Sequence, residues 1–189
     1  MAEQFVIQLK ELERRIQQYA TLGFPLMAGK KGLRFIDDNF RRQGWPGLPA
    51  TRWKARKGGI DPGRALLVGK GSGFLRRSFR MATAVGQVRI YTSDPKAKAH
   101  NEGFRGTVQI PSHMRKKMAR VMVSSVQTRR KRTVKTYAGD MEVKAHSRKM
   151  NIPRRQFMPT ATSQSTVLND DIKRQVTLDV LKILKGKMP

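Results

Sequence analysis

A glycine-rich segment, a few histidines and long runs of arginine and lysine are the places where this sequence could do chemistry. Gly69-Lys70-Gly71-Ser72-Gly73 has the composition of a phosphate-cradling loop. A Walker A loop, however, needs a Gly, four free residues, then Gly-Lys-Ser/Thr, and here Gly71 follows Lys70. Glycines at 69, 71 and 73 also miss the final spacing of a dinucleotide loop, so the segment reads as a flexible turn. His100, His113 and His146 lie far apart with no carboxylate pair beside them, and cysteine is absent. That composition argues against a metal site, a thiolate nucleophile and disulfides. No Gly-x-Ser-x-Gly elbow is present, and acidic residues are too sparse for paired-carboxylate catalysis. The expectation is a protein without enzymatic activity, cofactor or metal.

Charge is the stronger signal. The 189 residues hold 40 Lys and Arg against 13 Asp and Glu, a net +27. Residues 1–40 carry +1, 41–103 carry +11, 104–157 carry +13 and 158–189 carry +2, so the cations crowd the middle. Such a field calls for a polyanion, an acidic protein surface or plain separation by solvent. The densest contacts would be Arg115, Lys116, Lys117, Arg129, Arg130, Lys131, Arg132, Arg148 and Lys149. Four consecutive cations at 129–132 have no aromatic or amide neighbours suited to base edges, so any DNA contact should be independent of sequence.

The elements that must position these residues follow from periodicity. Phe5, Leu9, Leu12, Ile16 and Tyr19 fall on one helical face, Gly23 marks an end, and Pro25 suits the first turn of a second helix. Gly29 and Gly32 weaken the first half of that helix, so it is expected only from about residues 32 to 43. Pro46 and Pro49 exclude helix between Gly44 and Trp53, where Trp45 and Trp53 read as a lid on the core rather than a platform for bases. Residues 65–68, 74–81 and 85–92 read as strands. Leu168, Ile172, Val176, Val180 and Leu184 step by four along a last helix, with Asp170 and Asp171 at its start and lysines at its end.

Residues 104–150 contain an internal echo. Val108-Gln109-Ile110-Pro111-Ser112-His113-Met114-Arg115-Lys116 aligns with Met141-Glu142-Val143-Lys144-Ala145-His146-Ser147-Arg148-Lys149. With Ala138-Gly139-Asp140 as a hairpin turn, the segment becomes a β-arm whose two histidines face each other near its base. Residues 114–126 also fit a helix, through Met114, Met118 and Val121 or Met122. The order gives an α+β fold: a small antiparallel sheet packed by N-terminal and C-terminal helices, with a long basic β-hairpin arm. One domain spans 1–189 and the arm is inserted at 104–150. No apolar run approaches the roughly 18 residues of a membrane span, and the charged N-terminus does not read as a secretory signal.

The order of motifs carries a resemblance. Phe40…Gly44-Trp45-Pro46…Leu48…Thr51-Arg52-Trp53 is followed by Leu67-Val68…Gly73-Phe74-Leu75-Arg76-Arg77-Ser78. Then come Tyr91, Ala99-His100-Asn101-Glu102-Gly103 and Pro153-Arg154-Arg155-Gln156-Phe157-Met158 before the C-terminal helix. This pattern, over roughly residues 30–185, resembles the phage virion morphogenesis (tail completion) family of Mu-like tailed phages. The chain departs from it in a longer basic stretch at 104–150 and in Met158 where the family has Leu.

The resemblance implies a structural protein of the virion neck that completes or terminates the tail as a ring subunit around the DNA channel. It also implies a homo-oligomeric ring, with a hexamer as the expected size, neighbouring neck, connector and tail proteins, and assembly in the host cytoplasm. Trp45, Trp53, Gly73, Leu75, Ser78, His100, Asn101, Gly103, Pro153, Arg155 and Phe157 are then structural positions. The competing reading is a free basic nucleic-acid-binding protein; no RNP-type aromatic strand, KH loop or zinc finger accompanies it.

Overall fold

The computed structural model describes residues 2–47, 49–55, 64–67, 73–124 and 131–187. It is α+β and divides into two units, Met1–Phe104 with Ile152–Pro189, and Arg105–Asn151. The strands pair two by two: β1 (Gly44–Trp45) with β2 (Thr51–Arg52), β3 (Phe79–Ala84) with β4 (Gln87–Thr92), β5 (Phe104–Ile110) with β8 (His146–Ile152), and β6 (His113–Ser124) with β7 (Lys131–Val143).

The first unit begins with an unbroken helical run rather than two helices parted at Gly23. α1 (Ala2–Gln18) passes through a π turn (Tyr19–Gly23) into α2 (Phe24–Arg42). Gly23 keeps helical dihedrals; what it supplies is room, since a Cβ there would stand 2.7 Å from the Tyr19 ring. The Tyr19 hydroxyl donates to Asp179 Oδ2 (3.0 Å) on α5 (Thr166–Leu184), and the Thr21 carbonyl accepts from Gly86 N–H (2.9 Å) in the β3–β4 turn. Burial, reinforced by the Asp179 carboxylate, pushes the Tyr19 phenol up to about 12.

α2 spans all of 24–42, so the helix is not confined to 32–43 despite Gly29 and Gly32. They are what allows the β3–β4 hairpin to lie against it: a Cβ at Gly29 would stand 2.8 Å from Met81 Sδ and Val88 Cγ2, and one at Gly32 would collide with Ile90. Gln43 ends the helix in a left-handed conformation (φ 54), its N–H on the Asn39 carbonyl.

Two strand expectations fail. Residues 64–67 form a turn, with Leu67 at φ 59, and Val68 lies outside the described residues. Residues 74–77 form a short helix, α3 (Phe74–Arg77), that follows Gly73 at a left-handed φ of 54 and buries Leu75; β3 begins only at Phe79. A further short helix, α4 (Ala97–Glu102), gave no periodic signal.

α5 is capped by Ser165, whose Oγ accepts from Leu168 N–H at 3.2 Å. Its buried face runs to Asp179 and Ile183, while Leu181 and Leu184 are exposed. At 3.6 residues per turn a step of four gains about 40°, so by Leu184 the stripe has turned roughly 160° from Leu168 and Ile183 takes its place. The core is one cluster of Ile36, Phe40, Trp53, Leu75, Phe79, Ala97 and Phe157.

In the second unit residues 113–124 are strand, not helix. β6 and β7 are antiparallel from His113↔Val143 to Ser124↔Lys131. β7 runs straight through Ala138-Gly139-Asp140, which is a bulge rather than a turn. The register slips between Lys116↔Asp140 and Met118↔Tyr137, and Gly139 absorbs the extra residue at φ 104. The echo has a structural counterpart. Each copy is strand, two-residue break, strand: Pro111-Ser112 on one side and Lys144-Ala145 on the other. Each histidine after the break turns Nδ1 to the carbonyl two residues back, His113 to Pro111 (3.1 Å) and His146 to Lys144 (3.0 Å). His113 stands opposite Val143, so the two histidines do not form a cross-strand pair.

Candidate functional site

The motif segments of the first unit meet around one stretch with no regular secondary structure, Arg155 to Met158. A buried irregular backbone must find partners for its N–H and C=O groups, and here side chains supply most of them. Trp53 Nε1 donates to the Gln156 carbonyl (2.8 Å), and Asn39 Nδ2 donates to the Phe157 carbonyl (3.0 Å). Asn101 Oδ1 accepts from both Phe157 N–H and Met158 N–H (2.9 Å each), while its Nδ2 donates to the Met158 carbonyl (3.2 Å). Arg155 N–H donates to the His100 carbonyl (2.8 Å), and the Arg155 guanidinium reaches the Lys54 carbonyl through Nε (3.1 Å) and Nη2 (3.0 Å).

Phe157 is the apolar counterpart of this clamp. It is 1% exposed, with its ring 5.1 Å from Phe40, 5.5 Å from Phe79 and 6.4 Å from Trp53. Trp45 is half-buried and meets Phe35 edge-on at 5.4 Å. Leu75 is in the core, and Ser78 Oγ, bonded to Thr92 Oγ1, donates to the Leu75 carbonyl (2.8 Å). Gly103 adopts φ 82, ψ 159 with the Arg154 backbone 3.1 Å from where a Cβ would sit, a conformation only glycine takes readily. Pro153 is half-buried. Asn39 and Gln156 were not singled out from sequence, since a buried amide leaves no periodic trace.

Among the motif residues, His100 has burial as the first cause of its shifted titration. Its Nδ1 is buried without a hydrogen-bond partner among the described residues. Its pKa is lowered, first by desolvation and then by the nearby Arg155 charge, with Asp94 pulling the other way. A histidine depressed on folding stabilises the fold above its unfolded pKa and withdraws that stability as pH falls through the folded one. We therefore expect the urea midpoint to fall between pH 7.5 and pH 5, and His100→Gln to flatten the profile there. The loss at lower pH, where Asp37 and Asp171 protonate, should remain, since Arg76 and Lys31 hold those carboxyls below 3.8. An unchanged profile in the variant would remove His100 from the account.

The second unit holds the basic positions. Arg115, Lys116, Lys117, Arg148 and Lys149 are exposed on β6 and β8. Arg129 and Arg130 lie outside the described residues, and Lys131 and Arg132 are placed only as backbone of β7. Arg120 and Lys135, not singled out from sequence, are also exposed, directly opposite each other. Among the described residues no three His, Cys, Asp or Glu side chains converge as a metal ion would require. Nor is any helix among them long and apolar enough to cross a membrane. No family model, curated protein or solved structure matches the chain.

Proposed function

We propose that this protein is a non-enzymatic structural subunit of a tailed-phage head–tail junction, joining its copies in a ring around the DNA channel. One observation carries the reading. The segments that give the sequence its resemblance, spread from Phe40 to Met158, are held together by one set of hydrogen bonds and ring contacts centred on Phe157. They therefore behave as a single fold signature rather than unrelated short matches. The Arg105–Asn151 unit supplies what a ring subunit needs besides a core, long strands whose outer edges are unpaired among the described residues and that a neighbour can complete.

Sedimentation of the purified chain over a range of concentrations tests this directly. The full chain should assemble into rings without DNA. A variant lacking residues 113–143, with Ser112 joined to Lys144 through a short Gly/Ser link, should stay a folded monomer. A full chain that remains monomeric at every concentration would sink the proposal, and so would assembly by the deletion variant. The exposed cations of β6 and β8 favour a second reading, a free nucleic-acid-binding protein. Its signature is a monomer that binds duplex DNA with a steep salt slope.

A further inference from the structure

Side chains directly opposite in an antiparallel pair share a face with Cβ atoms about 4.5–5.5 Å apart, and like charges so placed destabilise the pair. On the far side of the Gly139 bulge, the β6–β7 ribbon sets Arg120 opposite Lys135. Neither is ion-paired among the described residues. Met118 opposite Tyr137 and Met122 opposite Thr133 flank them on the same face. Met118 is 50% exposed, Met122 71% and Tyr137 58%, bare apolar surface beside an unneutralised cation pair. The ribbon's two acids, Asp140 and Glu142, lie on the other side of the bulge, with Asp140 opposite Lys116.

A second copy of this chain is a poor occupant for that face. It carries net +27, and Glu11, Asp37, Asp171 and Asp179 among its acids already pair with its own cations. A chain of phosphates is a good one, because an anion held beside each of Arg120 and Lys135 offsets the repulsion between them. We infer that the face shared by Met118, Arg120 and Met122 of β6 and Thr133, Lys135 and Tyr137 of β7 forms a duplex-DNA surface. Arg120 and Lys135 hold adjacent backbone phosphates there, while Met118, Met122 and Tyr137 pack on the sugars and groove wall. A two-stranded ribbon fits the B-DNA major groove, about 12 Å wide. This inference stands apart from the junction reading, which is decided by assembly without DNA.

The test is fluorescence anisotropy of the full chain with a labelled DNA duplex between 50 and 300 mM salt. Arg120→Gln with Lys135→Gln should weaken binding about tenfold near 100 mM salt and lower the slope of log K against log[salt] by about 1.8, roughly 0.9 per lost phosphate contact. Arg148→Gln with Lys149→Gln removes the same charge from β8 and should change both quantities much less. Lys135→Glu supplies the control for folding. It places opposite charges across the ribbon, so the arm should resist proteolysis better than the parent while DNA binding falls. Equal losses in the two double variants would reduce the face to general charge and overturn the inference. So would unchanged DNA affinity in Arg120→Gln/Lys135→Gln accompanied by lost self-association, which would give the face to a protein partner.

Discussion

Truncating Phe157 to alanine is expected to destabilise the first unit by about 3–5 kcal/mol, the range for a fully buried aromatic ring. The ring is 1% exposed and packs with Phe40 of α2, Phe79 of β3 and Trp53 just after β2. Its neighbours cannot all move inward to refill the space. A domain of ordinary stability holds only about 5–15 kcal/mol, so the variant should sit near the edge of folding at room temperature. Urea unfolding followed by tryptophan fluorescence measures the loss, and Trp53 lies inside the affected cluster. A shift in midpoint worth less than about 1 kcal/mol would mean that the segment around Phe157 is not the hub of the unit.

The second large effect is expected at Asn101. Its side chain makes three hydrogen bonds to the backbone of Phe157 and Met158, and it is 5% exposed. Asn101→Ala strands the buried Phe157 N–H and the part-buried Met158 N–H and removes one of the donors to the Met158 carbonyl, a loss of about 2–5 kcal/mol. Asn39→Ala gives the internal comparison. Among the described residues the Asn39 side chain makes one bond, to the Phe157 carbonyl, and its Oδ1 has no partner. Its removal should cost clearly less. An inverse order of the two midpoints would contradict the view that side chains stand in for a missing strand at 155–158.

The division between what could and could not be read in advance has a physical basis. The α+β class and both terminal helices were legible because their apolar residues repeat at helical spacing, as Leu168, Ile172 and Val176 do. The short helices were not, because a single turn such as Phe74–Arg77 is specified by the left-handed Gly73 before it and by burial of Leu75. Gly23 and Gly29 misled for a related reason. Their role is to leave room for Tyr19 and Met81, and close approach is a tertiary fact that local propensity does not record. In the clamp, Trp53, Asn101 and Phe157 stood out as motif residues. The hydrogen bonds that join them span up to 118 positions, as from Asn39 to Phe157, and could not be foreseen. On the ribbon, a one-residue bulge was enough to hide the Arg120–Lys135 pairing, since a symmetric turn at Gly139 would have set different residues face to face.

The β5–β8 ladder has a consequence for how this chain can vary. It closes the inserted segment at its own neck, between Phe104 and Ile152, so everything from 111 to 145 hangs on a loop already shut. The entropy of closing that loop is met at the neck and grows only logarithmically with what lies beyond it. Lengthening or shortening the ribbon should therefore leave the helical unit almost untouched. The pleat nonetheless imposes a quantum. A pair of residues added to each strand moves the tip about 7 Å outward with every face preserved, whereas a single residue turns the cations of one strand to the opposite side. The reach of the insertion should therefore change in even steps, and homologous arms should differ in length by whole pleats.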